Sequence, residues 1–444
     1  MALRCLAMTD QNQRTVLRGA RWPGDVAFAG GRIVAVGEVA AIDGDQVVRC
    51  DDTIVTPGLV NTHHHLYQWL TRGYAAGSDL FGWLTTLYPV WKHITADDVR
   101  SAALVGLSEL LRSGCTTAAD HHYVVPSSDD SVFDALADAA RTLGMRLHLS
   151  RGSMDLGESD GGLPPDNLVE DIDTILTSTQ EVASRLHDGE QIVVVVAPCS
   201  PFSVTLDLLE RSAELARDLG LRLHTHLAET VDEERDALDR YGKRPVDVLD
   251  ELGWIADDVW VAHGIHFDDA EIARLGAART GVAHCPSSNG RLAAGACRVI
   301  DLRAAGSPVG LGVDGVASNE VGALFPELRQ ALYTARLRAG SAAAFLPADA
   351  LEIATAGGAA CLGRGDIGKL EPGLRADVVV WPAGDLADIA DPVTGLVLGP
   401  DRRARDVFVG GRQVVAGGQV LGADLPAARR DLAVRARRLR DVSG

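Results

Sequence analysis

Lysine is nearly absent from this 444-residue chain, occurring only as Lys92, Lys243 and Lys369. Positive charge is short overall, with 42 Lys and Arg against 61 Asp and Glu and a formal net charge of −19. Such an acidic chain is poorly suited to neutralising a phosphate backbone, so no nucleic-acid partner is expected. The acidic balance otherwise reads as a solvated, soluble surface. The chain also lacks any uninterrupted apolar run of the roughly 18 residues that a membrane helix needs, so no membrane span is expected. Its opening segment, MALRCLAMTDQNQRTVLRGA, holds no apolar stretch of the kind found in a secretory leader. The seven cysteines are odd in number, scattered, and never arranged as C-x-x-C. That excludes a disulfide framework as the basis of the fold, and a reducing, cytoplasmic setting is the expectation.

What the chain does have is two similar ends and a different middle. Near the start lie VAFAGGRIVAVGEVA (26–40) and DQVVRCDDTIVTPG (45–58). Near the end lie ADVVVWPA (376–383) and DVFVGGRQVVAGGQV (406–420). Short Val-rich runs broken by Gly-Gly or Asp-Gly are hairpin chemistry. They are expected to form one small β-sandwich from both termini, over 1–56 and 367–444, with a terminal helix. Between them, over 57–366, eight short apolar runs alternate with amphipathic segments. DDVRSAALVGLSELLRSG (97–114) and LDLLERSAELARDLG (206–220) read as helices stopped by Gly114 and Gly220. Eightfold strand–helix alternation predicts an α/β fold of the (β/α)₈ TIM-barrel type. A doubly wound open sheet would call for a Gly-rich phosphate loop after its first strand, and none is present.

Catalytic groups in such barrels stand at the C-terminal strand ends. Those ends here carry His63, His64 and His65 (run one), Asp120, His121 and His122 (two), and His224, His226 and Glu229 (five). Runs six to eight end in His263, in His284 with Cys285, and in Asp314. Most of the 13 histidines thus gather at strand ends, which points to a metal site rather than to scattered core histidines. Positions i and i+2 share a strand face, so His63 and His65 point together while His64 points away, and His224 pairs with His226.

The segments PGLVNTHHHLYQ (57–68), HTHLAE (224–229), VAHGI (261–265), VAHCPSSN (282–289) and GVDGVASN (312–319) resemble the amidohydrolase superfamily, in its cytosine, guanine and S-triazine deaminase branch. The resemblance covers almost the whole chain. ELLRSGCTTAADHHYV (109–124), RGSMDLGESDGGLPPD (151–166) and APCSPFSV (197–204) are similar to the 8-oxoguanine deaminase group within it. The resemblance implies His63, His65, His226 and Asp314 as the metal shell. Glu229 matches the acid of the deaminase H-x-x-E signature, His263 the histidine that handles the proton of the metal-activated water, and Gln68 the glutamine that reads a carbonyl and ring N–H. Asp314 would share the base role with His263. Binuclear members bridge their metals with a carboxylated lysine on strand four, or with an acid. IVVVVAPCS (192–200) has neither, and no lysine ends a barrel strand. One divalent ion per subunit is therefore expected, Zn²⁺ first and Fe²⁺ as the alternative.

The implied activity is hydrolytic deamination of an oxygenated aminopurine or aminopyrimidine free base, 8-oxoguanine first. Isocytosine, isoxanthopterin, guanine or a hydroxyatrazine-type triazine are the alternatives, and the resemblance implies a homo-oligomer. Amide or lactam hydrolysis, dechlorination of a triazine, and a non-catalytic binding role are the competing readings from other classes. His121, Tyr123 and Cys199, after strands two and four, are candidate substrate contacts, with His284 as either a contact or a support. Arg72 and Arg151 are single candidates for an anionic or carbonyl group, and His148 and His187 are assigned to structure. The aromatic-rich segment 66–94 is expected to be a helical lid packing mostly on itself.

Overall fold

In a computed structural model the described residues are 13–443; residues 1–12, the larger part of the opening segment, lie outside them. Eight parallel strands close into a barrel in chain order. They are Leu59–Asn61, Cys115–His122, Arg146–Ser153, Ile192–Pro198, Arg222–Leu227, Val259–His263, Gly281–His284 and Val309–Leu311. The ring closes where Leu311 of the eighth strand pairs with Asn61 of the first. Val60, Ala119, Val195, Trp260 and Ala283, from five different strands, form a buried cluster with Ala359, Cys361, Leu362 and Ile367. The cluster ties five of the barrel strands to the segment 359–367.

The helices follow from local chemistry. Ala96–Arg112 opens on a capping box in which the Asp98 carboxylate accepts the Thr95 N–H at 2.9 Å, and its apolar stripe faces the barrel. It ends before Gly114 at φ +87°, and Leu206–Asp218 ends before Gly220 at φ +66°, backbone conformations that glycine adopts at little cost.

One apolar run serves two sheets. The segment read as a single first strand, 53–65, divides at Pro57-Gly58. Thr53–Pro57 pairs antiparallel with Val378–Pro382 in the terminal β-structure, and only Leu59–Asn61 enters the barrel. Proline has no N–H to continue a ladder, and Gly58 N–H turns to the Asp377 carbonyl at 2.9 Å.

Both termini build the small β-structure. A four-stranded sheet (Thr15–Arg18, Asp25–Ala29, Arg32–Gly37, Gln46–Arg49) faces a five-stranded sheet containing Thr53–Pro57, Val378–Pro382, Asp406–Val409, Arg412–Ala416 and Gln419–Val420. Leu17, Val26, Phe28 and Ile33 share a core with Val55, Val378, Val380 and Phe408, and the rings of Phe28 and Phe408 lie 5.2 Å apart. The last helix, Leu425–Val442, leaves this unit and lies along Ala96–Arg112. There Arg435 and Arg438 neutralise the fully buried Asp98, and Arg429 reaches Glu109 at 2.7 Å. Among the described residues, no helix is long and apolar enough to cross a membrane.

Candidate active site

The chain runs on from the first strand as Thr62–His65, and His63 and His65 turn to one side with ring centroids 4.7 Å apart. His226 comes from the fifth strand and Asp314 from just beyond the eighth. Their hydrogen bonds fix the tautomers. His65 Nδ1 donates to the His121 carbonyl at 2.6 Å, and His226 Nδ1 to the Cys199 carbonyl at 2.6 Å. His224 Nδ1 donates to the Trp260 carbonyl at 2.9 Å, so its Nε2 accepts from His63 Nδ1, also at 2.9 Å. All three Nε2 atoms are thereby left as lone pairs, and they converge. His65 Nε2 is 3.2 Å from His226 Nε2, and Asp314 Oδ1 is 3.3 and 3.5 Å from the Nε2 atoms of His65 and His63.

Three lone pairs and a carboxylate facing one another repel unless a cation lies among them. Burial, and for His226 the neighbouring histidines, hold the rings of His63 and His226 well below the usual imidazole range, so neither supplies its own proton. Asp314 presents Oδ1 to this cluster. Its other oxygen accepts from Ser288 Oγ at 2.6 Å and Ser318 Oγ at 3.2 Å. The donor set of three imidazoles and one carboxylate fits a divalent transition metal. His224 and the pair Ser288–Ser318, none singled out as supports in the sequence, orient that set. The H-x-H spacing at 224–226 was the one available signal for His224.

Glu229 and His263 face this cluster, with His263 Nε2 3.6 Å from Glu229 Oε2. Asn289 Oδ1 accepts from His263 Nδ1 at 3.0 Å, which leaves His263 Nε2 with a lone pair. Burial pushes the Glu229 carboxyl up to about 8, with the Asp314 charge adding to the effect. Ala228, His263 and Asp314, all non-glycine, sit at φ of +53°, +74° and +61°. Left-handed backbone costs such residues of order 1 kcal/mol or more, and strain of this kind gathers at functional sites.

A cavity opens over the cluster. Its floor is His65, His226, Glu229, His263 and Asp314. Leu80, Trp83, Leu84 and Tyr88 of helix Leu80–Trp91 roof it. Cys199 and Tyr123, read as candidate substrate contacts, line its wall; Ser200, Phe202, Leu292 and Ser318 line it too and were not singled out, although Ser200 and Phe202 lie within 197–204 and Ser318 within 312–319. Trp83 Nε1 is tied to the Ala317 carbonyl at 3.0 Å, while Tyr67, Trp69 and Trp91 are buried, with the Tyr67 ring edge-on to Trp91 and also to His122 and Tyr123 outside the segment.

Other candidates stand back from the wall. Gln68 is fully buried in the turn Leu66–Thr71, where its Oε1 accepts the Ala317 N–H at 3.3 Å and its Nε2 has no protein partner. His121 lies stacked on His226 with centroids 4.8 Å apart, and its Nε2 donates to the Ala197 carbonyl at 2.9 Å. His284 is buried with both ring nitrogens unpartnered and its pKa lowered by burial to about 3. Arg72 is exposed over Trp69. The Arg151 guanidinium is engaged by Glu170 at 2.8 and 2.9 Å and by Ser178 at 3.0 Å, so it is not available to a ligand. His187 Nδ1 accepts the Val194 N–H at 3.1 Å, a structural role as expected.

The amidohydrolase family model matches residues 54–414. An 8-oxoguanine deaminase from Pseudomonas aeruginosa is 51% identical over 381 residues, 84% of this chain and 85% of that protein. An isoxanthopterin deaminase from an unknown prokaryotic organism is 37% identical over 433 residues, 91% of this chain and 90% of that protein. Among solved structures, an atrazine chlorohydrolase from Arthrobacter aurescens TC1 complexed with zinc superposes with a TM-score of 0.88 at 30% identity, covering 95% of this chain and 100% of the other.

Proposed function

The chain belongs to the amidohydrolase family, and on that premise we propose that it is a metal-dependent deaminase of 8-oxoguanine, releasing ammonia. The observation that carries the chemistry is the pair Glu229 and His263, 3.6 Å apart and facing four convergent acceptors at the floor of a cavity. The choice of substrate is supported by the 51% identity to the Pseudomonas aeruginosa enzyme.

We assign His63, His65, His226 and Asp314 to hold a single divalent ion, with zinc supported by the zinc-bound structural neighbour. When bound, such an ion supplies the acidity that makes water nucleophilic near neutral pH. His263, with its Nε2 lone pair towards the cavity, takes a proton from the attacking water, and Asp314 lies close enough to share it. Glu229, neutral below about pH 8, donates its proton to the ring nitrogen beside the amino-bearing carbon. Once that carbon is tetrahedral the proton held by His263 passes to the amino group, the C–N bond breaks with its electron pair leaving on ammonia, and the hydroxyl proton returns to Glu229 as the ring carbonyl forms. Cys199, on the cavity wall, is assigned a contact on the ring edge, whereas Gln68 is buried behind that wall and is not assigned one. His121 is assigned to holding His226. A reducing compartment is supported by six free buried cysteines among the described residues, and a homo-oligomer is part of the reading.

The test is ammonia release from 8-oxoguanine, guanine, isocytosine, isoxanthopterin and cytosine, with alkylamine release followed for hydroxyatrazine. The highest kcat/KM on 8-oxoguanine is expected. Best turnover of cytosine would reject the substrate assignment, and turnover of hydroxyatrazine alone would reject deamination of a purine-like base.

A further inference from the structure

Glu233 is fully buried four residues beyond Glu229, in the first turn of helix Val231–Tyr241. Its carboxylate does not meet a cation. One oxygen accepts the Ala228 N–H and the other the Glu229 N–H, each at 2.8 Å. Ala228 is the left-handed, non-glycine residue at φ +53° that turns the chain out of the fifth strand. Its carbonyl accepts the N–H groups of Ile265 at 2.9 Å and His266 at 3.0 Å, and the Leu227 carbonyl accepts the Gly264 N–H at 3.1 Å. The turn bearing Glu229 is thus bonded on one side to the turn bearing His263, and on the other to one side chain.

From this geometry we propose that Glu233 is a positioning residue for proton transfer: its carboxylate clamps the Ala228–Glu229 backbone and sets the Glu229 carboxyl against His263 and the substrate ring. The proposal rests on the assignment of Glu229 as proton donor. An amide at this position has only one acceptor oxygen, so Glu233→Gln presents an NH₂ group to one of the two N–H donors and frees half of the turn. Displacing a catalytic group by about 1 Å costs on the order of 10²-fold in rate.

The experiment compares metal-loaded wild type, Glu229→Gln, Glu233→Gln and the double variant Glu233→Gln/Ala228→Gly. Metal content, melting temperature, kcat, KM and the pH profile of kcat on 8-oxoguanine are measured for each. For Glu233→Gln the expected result is unchanged metal content, a roughly 10–100-fold lower kcat, less than about threefold change in KM, and a displaced alkaline limb. If Glu233 serves only to hold the strained Ala228, glycine at 228 removes that need, and the double variant recovers kcat to within about threefold. That recovery overturns the proposal, as does a wild-type kcat and pH profile in Glu233→Gln. A folded double variant that stays slow supports it, including where the single variant does not fold. Loss of ammonia release in wild type, or full activity in Glu229→Gln, rejects the underlying assignment instead.

Discussion

Replacing Glu229 by glutamine tests the proton-transfer assignment directly. The residue is 4% exposed and its carboxylate lies 3.6 Å from His263, outside the set of lone pairs around Asp314. Glutamine keeps the size and hydrogen-bonding oxygen but has no acidic proton. At pH 7 a carboxyl with its pKa pushed up to about 8 is about nine-tenths protonated, so nearly all wild-type molecules carry the working acid. A positioned acid contributes about 10²–10⁴-fold. The variant should lose kcat by that factor, about 3–5 kcal/mol at roughly 1.4 kcal/mol per tenfold. The neutral form of Glu229 is the active one, so the alkaline limb of wild-type kcat should fall as pH rises through about 8, about tenfold per unit. Glu229→Gln should lose that limb along with the rate. Ammonia release followed from pH 6 to 10, with elemental analysis of both proteins, is the assay. The reasoning fails if the variant loses its metal, which would make Glu229 a ligand, or if it keeps wild-type rates.

His63→Ala and Asp314→Ala should each lose metal and activity together, as read by elemental analysis and ammonia release; metal retained at wild-type occupancy would remove that residue from the shell. Elemental analysis of active wild type should give one metal per subunit, and two would reject the mononuclear reading. His224→Ala strips His63 Nδ1 of its acceptor and should weaken metal affinity about 10–100-fold in a chelator competition while the protein stays folded. Unchanged affinity would deny that His224 fixes the tautomer of His63. Arg151→Met leaves Glu170 buried without its partner and should destabilise the fold by about 3–5 kcal/mol, read by denaturant unfolding. Its kcat/KM per folded enzyme should be unchanged; a selective loss would place Arg151 at the substrate.

The barrel, the terminal β-structure and the ring of polar strand ends were legible in the chain because they rest on periodicity. A strand repeats every two residues and a helix every 3.6, and a run that ends in histidine shows where its chemistry sits. His63, His65, His226, Glu229, His263 and Asp314 were all readable in this way once joined to family motifs, and the structure brings them together. Three features were not. The division of 53–65 between two sheets depends on which partner strand lies alongside, and Val378–Pro382 is more than 300 residues away. The cavity wall takes Phe202, Leu292 and Ser318 from separate loops, ordinary residues made significant by where the loops meet. The tautomers that aim three lone pairs at Asp314 are set by carbonyls of His121, Cys199 and Trp260, backbone groups that every residue carries. Sequence by itself determined the kind of groups present and the strand ends they occupy. Tertiary structure alone decided which nitrogen each histidine offers, how close Glu229 stands to His263, and which side chains wall the cavity above them, because these depend on distances between chain segments that sequence order does not encode.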